Sequence, residues 1–289
     1  MTLTRKKRPL QGFWKYQKEL KEIQMKEKIE GNIIGAAIGD GFGYPTEFMN
    51  LKEIKKKWGK DGLRAPIGEI IKVTDDTQMA ISVSNAIMNS YQNNDIKRPK
   101  FESELVKEFV KWLNDAENNR APGMTCLTSC ENLERGLKWS EATGKNSKGC
   151  GANMRVNPIG LLKFKSTEVT NEMIAKWTQF QSAITHAHPT ALVACELTAI
   201  TAVKILEGAH PSNLVEELKD YCSSQKNIYH SDFLDDIWER PGIINPQEFI
   251  KRGWEECFSV LQKVENALKI GDRKVDVVCG GPPCQSWSE

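Results

Sequence analysis

Apolar residues recur along most of this chain at the three- and four-residue intervals that place them on one face of an α-helix. In the segment 101–113, for example, Phe101, Leu105 and Phe109 fall on the same face. The same periodicity predicts helices over 30–38, 77–91, 128–139, 168–178, 190–206, 211–223 and 246–270. Strand-like alternation is rare, and residues 70–73 are its main instance. The pattern predicts an all-α protein with a single compact multi-helical domain over residues 28–270.

Turn-forming residues set the expected ends of two of these helices. The helix that begins in 30–38 is expected to stop at the glycine-rich loop 39–43, and the helix 77–91 at the polar turn 93–95. The apolar stripe of that second helix consists of Met79, Ile81, Val83, Ile87 and Met88.

Composition changes this picture little. The chain has 289 residues, of which 39% are hydrophobic and 27% charged, and its formal net charge is +2. These values are ordinary for a globular protein and favour no class of partner. The basic leader, residues 1–27, lacks the apolar stretch of a secretory signal peptide. We expect it to form a solvated arm rather than a contact for nucleic acid or a membrane surface.

Two absences in the sequence bear on location. No apolar run reaches 18 residues, so no transmembrane helix and no membrane partner are predicted. The eight cysteines show neither a disulfide framework nor the spacing of a zinc site, and we expect them to be reduced thiols. The sequence therefore predicts a cytoplasmic protein for which nucleic acid is not an expected partner.

The segment 74–77, Thr-Asp-Asp-Thr, places two adjacent carboxylates between two hydroxyls just before an apolar run. Oxygen ligands of this kind are those that Mg²⁺ and Mn²⁺ select. Thr74 also stands where a helix N-cap would stand, and an acidic first turn complements the helix dipole. Both a metal site and a capped helix explain the segment on its own.

Three other segments carry candidate chemistry. Residues 35–43 are rich in glycine, which permits close backbone approach, and Glu47 follows on the same loop. Residues 147–155 expose successive backbone N–H groups of the sort that cradle a phosphate. Arg155 at the end of that loop either contacts a phosphate or serves as a buried structural partner.

The fourth segment contains two histidines separated by one residue. His186 and His188 precede Pro189, which suits the first position of a helix starting there. The pair could ligate a metal ion, but no third histidine or cysteine lies nearby in the sequence to complete such a site. The alternative is that His186 lies on a loop and contacts a ligand.

Taken together and in this order, the four segments resemble the ADP-ribosylglycohydrolase family, which has the fold of dinitrogenase-reductase-activating glycohydrolase. The matching strings are GAAIGDGFGYPTE (35–47), TDDTQM (74–79), KGCGANMRVNPIG (148–160) and ITHAHP (184–189). Residues 253–268 are also similar to a late helix of bacterial members. The resemblance covers roughly residues 28–270 and implies an all-α domain of that type.

The resemblance further implies a binuclear Mg²⁺ or Mn²⁺ centre in a cleft and hydrolysis of the N- or O-glycosidic bond at C1″ of ADP-ribose. It assigns metal binding to Thr74, Asp75 and Asp76, and it assigns catalysis to Glu47 together with the same two aspartates. The partner would be an ADP-ribosylated protein or a small ADP-ribosylated molecule. Contacts with the diphosphate and the distal ribose are implied for Ser147, Lys148, Gly149, Cys150, Gly151 and Asn153, with His186 close to the ligand.

One family feature is missing from this sequence. Members complete the metal site with a late acidic motif, Gly-Asp-Ser/Thr-Asp-Ser/Thr, whereas the only late candidates here, Asp272 and Asp276, have a different spacing. The chain is therefore expected to be truncated relative to the family and to hold metal weakly. A catalytically inactive ADP-ribose-binding protein is the alternative function.

The last residues carry a second resemblance. Residues 275–288, VDVVCGGPPCQSWS, are similar to the catalytic loop of cytosine-C5 DNA methyltransferases, where a Pro-Cys pair presents a thiolate to a flipped cytosine. Cys284 would be that nucleophile. Because no glycine-rich S-adenosylmethionine site precedes it, a truncated or fused reading frame, or a coincidental Gly-Pro-rich tail, is favoured over a methyltransferase fragment.

Overall fold

The computed structural model describes residues 10–237 and 245–270 of the chain. These residues form twelve α-helices and one two-stranded antiparallel ribbon. The helices are α1 (Leu10–Gly43), α2 (Leu51–Trp58), α3 (Asp75–Ser90), α4 (Arg98–Leu113), α5 (Met124–Glu134), α6 (Trp139–Ala142), α7 (Asn157–Leu161), α8 (Asn171–Ala183), α9 (Pro189–Glu207), α10 (Pro211–Gln225), α11 (Ser231–Leu234) and α12 (Pro246–Ile270). The predicted all-α fold is confirmed.

The ribbon joins α3 to α4. Strands β1 (Tyr91–Gln92) and β2 (Asp95–Ile96) pair across Asn93 and Asn94, whose φ angles are 51° and 60°. Asparagine tolerates this left-handed region better than most residues, and two such residues in sequence suit a tight hairpin. The polar turn predicted at 93–95 thus reverses the chain and sets α3 against α4.

Helix α9 is central to the core. It packs against α7, α8, α10 and α12, and twelve of its 19 residues are buried. By length and composition it is apolar enough to cross a membrane, but 67% of its apolar window is buried inside the protein. A helix covered in this way has the apolar character that a core helix requires.

Close backbone contact brings two neighbours onto α9. A Cβ built at Gly253 of α12 would lie 2.4 Å from the Pro189 carbonyl oxygen, and one at Gly160 of α7 would lie 2.7 Å from that of Ala199. Only glycine allows helices to approach this closely at these points. The start of α9, which carries the histidine segment, is therefore held firmly against α12.

Several predicted elements differ from the structure. Residues 39–43 do not break the first helix, because α1 continues through Gly43. Residues 70–73 are not a strand, and the segment 128–139 is split into α5 and α6 around Gly136, which has a φ of 85°. A glycine does not by itself end a helix that packs against its neighbours, and a short apolar run does not by itself distinguish a strand from other structure.

Two members of the predicted apolar stripe of α3 are exposed. Ile81 and Met88 retain 56% and 70% of their accessible surface, whereas Met79, Val83 and Ile87 are buried. The buried three recur every fourth residue and face α4 and α7. Helix α1 runs without interruption across residue 27, which is the expected end of the basic leader.

Candidate functional site

Asp40, near the end of α1, binds the start of α3 through both carboxylate oxygens. Its Oδ1 accepts a hydrogen bond from Thr74 Oγ1 at 2.6 Å, and its Oδ2 accepts one from the Thr74 backbone N–H at 2.8 Å. Thr77 donates to Oδ2 with its hydroxyl at 2.5 Å and its backbone N–H at 3.2 Å. These bonds place the glycine-rich end of α1 beside the two aspartates of α3.

Thr74 is the N-cap of α3, as its position in the sequence predicts. Its Oγ1 accepts a hydrogen bond from the Asp76 backbone N–H at 3.3 Å. Asp75 is 1% exposed, and its Oδ2 accepts a hydrogen bond from the backbone N–H of Gly123 at 3.3 Å. The capped helix predicted from the sequence is therefore present, and it does not exclude a metal site at the same carboxylates.

The pKa values of both aspartates at the start of α3 are raised. Burial raises the pKa of Asp75 to about 8, and the nearby charges of Asp76 and Glu47 act in the same direction, against the Gly123 N–H. Burial also raises the pKa of Asp76 to about 7, with further contributions from Asp40 and Glu47. Asp40, Glu47, Asp75 and Asp76 are thus near enough to interact electrostatically, and we call these four residues the carboxylate cluster. Negative charge concentrated in this way favours a bound cation.

The donor chemistry of the carboxylate cluster fits Mg²⁺ or Mn²⁺, because all its ligand atoms are oxygens. Both oxygens of Asp40 are already engaged by threonines. Within residues 10–237 and 245–270, no three His, Cys, Asp or Glu side chains converge closely enough to enclose an ion. An ion bound here would therefore complete its coordination with water, which Mg²⁺ commonly retains, or with ligand oxygens.

Residues 147–153 form a loop that follows α6, which we call the glycine loop. It is anchored at Gly144, whose N–H donates to the Thr185 carbonyl oxygen at 2.9 Å and whose carbonyl oxygen accepts from Ala187 N–H at 3.2 Å. Within the loop, Ser147 Oγ accepts the Gly149 N–H at 3.3 Å. Residues Cys150–Ala152 then make a 3-10 turn. The histidine segment and the glycine loop are therefore joined through backbone hydrogen bonds.

The predicted ligand-binding side chains of the glycine loop lie in different settings. Lys148 Nζ is 2.7 Å from Glu256 Oε2 on α12, so its ammonium points to that helix. The Cys150 side chain is buried at 8% exposure. Asn153 is half-buried, and its Oδ1 has no hydrogen-bond partner among the described residues.

His186 lies directly beneath the glycine loop. It is 2% exposed, and a Cβ built at Gly151 would lie 2.9 Å from its Cε1 atom. Burial, with the positive charge of Arg155, lowers the pKa of His186 to about 3. His188 instead caps α9, since its Nδ1 accepts the Thr190 N–H at 3.2 Å, and Pro189 occupies the first turn as predicted.

Arg155 is fully buried under the same loop. Its Nε donates to Gln181 Oε1 at 2.9 Å, and its Nη2 donates to the Gln181 carbonyl oxygen at 3.0 Å and to Thr185 Oγ1 at 2.7 Å. Its guanidinium carbon stands 4.3 Å from the centre of the Phe109 ring. Of the two roles that the sequence left open, the buried structural partner is the one found in the structure.

The start of α5 connects the carboxylate cluster to the glycine loop. The Gly123 N–H binds Asp75, and two residues later Thr125 Oγ1 lies 3.2 Å from Ser147 Oγ. A cleft of about 290 Å³ opens beside this point, lined by α5, α6 and residues 143–144. The segments predicted from the sequence therefore border one region of the molecule.

A family model described as ADP-ribosylglycohydrolase matches residues 21–271. The chain belongs to the ADP-ribosylglycohydrolase family. Among individual proteins, it is 29% identical over 201 residues to an uncharacterised protein of Archaeoglobus fulgidus, covering 68% of this chain and 61% of that protein. It is 27% identical over 211 residues to the ADP-ribosyl-[dinitrogen reductase] glycohydrolase of Rhodospirillum rubrum, covering 71% and 66%.

A third relative is the ADP-ribosylarginine hydrolase Tri1 of Serratia proteamaculans, with 24% identity over 197 residues, or 65% of this chain and 50% of that protein. The match therefore spans less than two thirds of each of these three relatives. Membership of the ADP-ribosylglycohydrolase family confirms the resemblance read from the four segments. The roles that it implies for Glu47, Asp75 and Asp76 stay predictions. The methyltransferase-like string, with Cys284, lies outside the described residues.

Sequence reasoning missed two residues that connect the predicted segments. Asp40 lies in one of the matching strings, but no role was predicted for it. Its place between Gly39 and Gly41, in a segment expected to approach its neighbours closely, could have indicated a contact. Thr185 was quoted only as a neighbour of His186, and nothing in the sequence shows that its hydroxyl meets Arg155 from 30 residues away.

Proposed function

We propose that this member of the ADP-ribosylglycohydrolase family hydrolyses the glycosidic bond between C1″ of ADP-ribose and a modified side chain or small molecule. The observation that carries the proposal is the link at the start of α5. There, Asp75 is bonded to Gly123 while Thr125 lies beside Ser147 of the glycine loop. The start of α5 therefore connects an acidic, cation-attracting region to a loop suited to a diphosphate.

The proposed roles follow from the position of each group. Asp75 and Asp76, with Thr74, would hold Mg²⁺ or Mn²⁺, which when bound supplies positive charge that orients ribose hydroxyls and polarises water. Glu47 is half-buried and close enough to raise the pKa of both aspartates. It would take or give a proton near the scissile bond, where the transition state has oxocarbenium character.

The substrate class is proposed from the relatives. One is named for ADP-ribosylated dinitrogen reductase and another for ADP-ribosylarginine. We propose an ADP-ribosylated protein, with arginine as the first side chain to test, and a cytoplasmic site of action. Small ADP-ribosylated molecules are the second group to test.

The decisive experiment measures ADP-ribose release from an ADP-ribosylated arginine substrate, with and without added Mg²⁺ or Mn²⁺. We expect Asp75→Asn and Asp76→Asn each to lower turnover at least about a hundredfold, because each replaces a carboxylate that would hold the metal ion with a weaker amide ligand. Asp220→Asn, on the exposed face of α10, is the matched control and should keep normal turnover. Unchanged turnover in both site variants would refute the proposed roles.

A second function, binding of ADP-ribose without turnover, is favoured by one observation. The described His, Cys, Asp and Glu side chains do not enclose an ion by themselves. Calorimetry with ADP-ribose separates the two proposals: affinity that does not depend on Mg²⁺, together with no release from substrate, supports the binding protein. Metal-dependent release supports the hydrolase.

A further inference from the structure

The guanidinium of Arg155 is a buried cation whose described contacts include no carboxylate. It donates to Gln181 and to Thr185, lies over Phe109, and reaches toward the sulfur of Met79 at 3.3 Å. Burying a charge is costly unless each donor is directed at a partner. An apolar side chain would fill the same space without this desolvation cost, so we expect a role for the charge itself.

Arg155 determines which way the Thr185 hydroxyl points. A guanidinium has donors only, so Thr185 Oγ1 must accept the bond at 2.7 Å. The hydroxyl hydrogen is then directed to another acceptor, and His186 Nδ1 lies 2.9 Å from the same oxygen. Because the oxygen is already next to a positive charge, accepting a second N–H from His186 would be less favourable than donating to it. His186 Nδ1 is therefore the acceptor.

A neutral imidazole whose Nδ1 accepts a hydrogen bond carries its proton on Nε2. The Nε2 atom lies on the side of the ring that faces the glycine loop. A Cβ built at Gly149 would be 3.3 Å from Nε2, and one at Gly151 would be 3.2 Å from it. The imidazole therefore presents an N–H donor, and not a lone pair, to the underside of that loop.

We infer that Arg155 is a positioning residue that acts through the Thr185 hydroxyl to hold His186 as its Nε2-protonated tautomer, with the N–H directed at the glycine loop. The inference rests on the proposed function, in which this loop holds the diphosphate and distal ribose of ADP-ribose. Every oxygen of a diphosphate accepts hydrogen bonds, so a donor beneath the loop strengthens binding. A lone pair in the same place would weaken it.

The first test reads the tautomer directly and needs no ligand. Long-range ¹⁵N–¹H correlation spectra of the full chain distinguish protonated from unprotonated ring nitrogens, and His186→Gln assigns the signals. In the wild-type protein and in Thr185→Ser we expect His186 to be protonated on Nε2 alone. In Thr185→Val, which removes the hydroxyl, the Nδ1 signal should lose its hydrogen-bond shift and the other tautomer should become detectable.

Thr178→Val is the matched control for that variant. Thr178 is also fully buried, but its hydroxyl donates to carbonyl oxygens within α8, at 2.8 Å and 2.9 Å, and has no path to His186. The His186 signals of the Thr178→Val variant should match those of the wild-type protein. A wild-type His186 protonated on Nδ1, or a Thr185→Val spectrum identical to wild type, would overturn the inference. If Thr185→Val does not fold, Thr185→Ala, which also lacks the hydroxyl, replaces it with the same expected change.

The second test measures ADP-ribose affinity by calorimetry in a double-mutant cycle. We expect Thr185→Val to weaken binding about five- to tenfold, the effect of one hydrogen bond. In a His186→Gln background the same change should weaken binding less than about twofold, since its effect passes through the histidine. Equal losses in both backgrounds would contradict the positioning role.

The two proposals fail in different ways. If the wild-type protein does not bind ADP-ribose at all, the proposed function is wrong, and the NMR spectra alone then decide the tautomer. If ADP-ribose binds but His186 carries its proton on Nδ1, the proposed function stands and the role of Arg155 is wrong.

Discussion

The packing beneath the glycine loop leaves no room for even one additional carbon atom at Gly151. His186, Cys126 and the loop backbone approach one another so closely at Gly151 that the position has no room for a methyl group. Elsewhere glycine is dispensable: a Cβ at Gly35 of α1 would meet nothing within 4 Å. The two residues look alike in the sequence, and only their surroundings distinguish them.

Replacing Gly151 with alanine should therefore disturb both folding and binding. The new Cβ would lie 2.7 Å from Cys126 Sγ and 2.9 Å from His186 Cε1, inside normal contact distance. We expect the free energy of unfolding to fall by about 1–3 kcal/mol, as for overpacked cores, with weaker ADP-ribose binding. Urea denaturation and calorimetry measure the two effects.

The control is Gly35→Ala on α1. Alanine favours the helix over glycine by about 0.5–1 kcal/mol, so this variant should be equally or slightly more stable than the wild type. An equal loss of stability in both variants would show that the packing under the glycine loop is not the cause.

At the scale of elements, one carboxylate joins α1 to α3. Asp40 satisfies two backbone N–H groups and two hydroxyls at the start of α3, from Thr74 and Thr77. Its charge also disfavours the ionised form of Asp76. The hydrogen bonds outweigh this repulsion because four donors would otherwise lose their common acceptor in a partly buried place.

Asp40→Ala should accordingly lower the free energy of unfolding by about 2–3 kcal/mol. Asp61→Ala is the comparison, since Asp61 is exposed and pairs with Arg64 at 3.3 Å on the surface, where such pairs contribute at most about 1 kcal/mol. Chemical denaturation of the two variants tests the difference. A loss at Asp40 no greater than at Asp61 would mean that the contact between α1 and α3 is not maintained by this side chain.

At the scale of the whole molecule, the core contains an acid without a cationic partner. Glu196, in the middle of α9, is fully buried and accepts hydrogen bonds from Gln179 of α8 at 2.5 Å and from Tyr221 of α10 at 2.7 Å. Burial raises the pKa of Glu196 to about 7, although both hydrogen bonds act against that change. Three core helices thus meet at a group that is protonated in mildly acidic solution.

This pKa makes stability depend on pH in a defined direction. A carboxyl with a folded-state pKa above its unfolded value binds its proton more tightly when folded. Its contribution is therefore complete below about pH 4.5 and is lost as the pH rises through about 7. Relative to Glu196→Gln, the wild type should lose about 2–3 kcal/mol of unfolding free energy between pH 5 and pH 8. Urea denaturation at both pH values measures the loss.

Glu207→Gln provides the control, because Glu207 is exposed at the end of the same helix. Its stability should follow that of the wild type at both pH values. A wild-type curve parallel to that of Glu196→Gln would show that this carboxyl has the same pKa in the folded and unfolded states.

The sequence by itself determined the helical class, the N-cap at Thr74, the start of α9 at Pro189 and the family, because these depend on local periodicity, local hydrogen bonds and short ordered strings. It did not show that α1 continues through its glycines or that Ile81 is exposed. Both outcomes depend on which neighbours pack against the helix.

Only the tertiary structure decided which polar side chains meet. Asp40 reaches Thr74 across 34 positions, Arg155 reaches Thr185 across 30, and Lys148 reaches Glu256 across 108. Contacts between residues so far apart in sequence are set by the packing of whole helices, and no local pattern records them. Burial strengthens the first two of these contacts, because a charge or hydroxyl removed from water has few alternative hydrogen-bond partners.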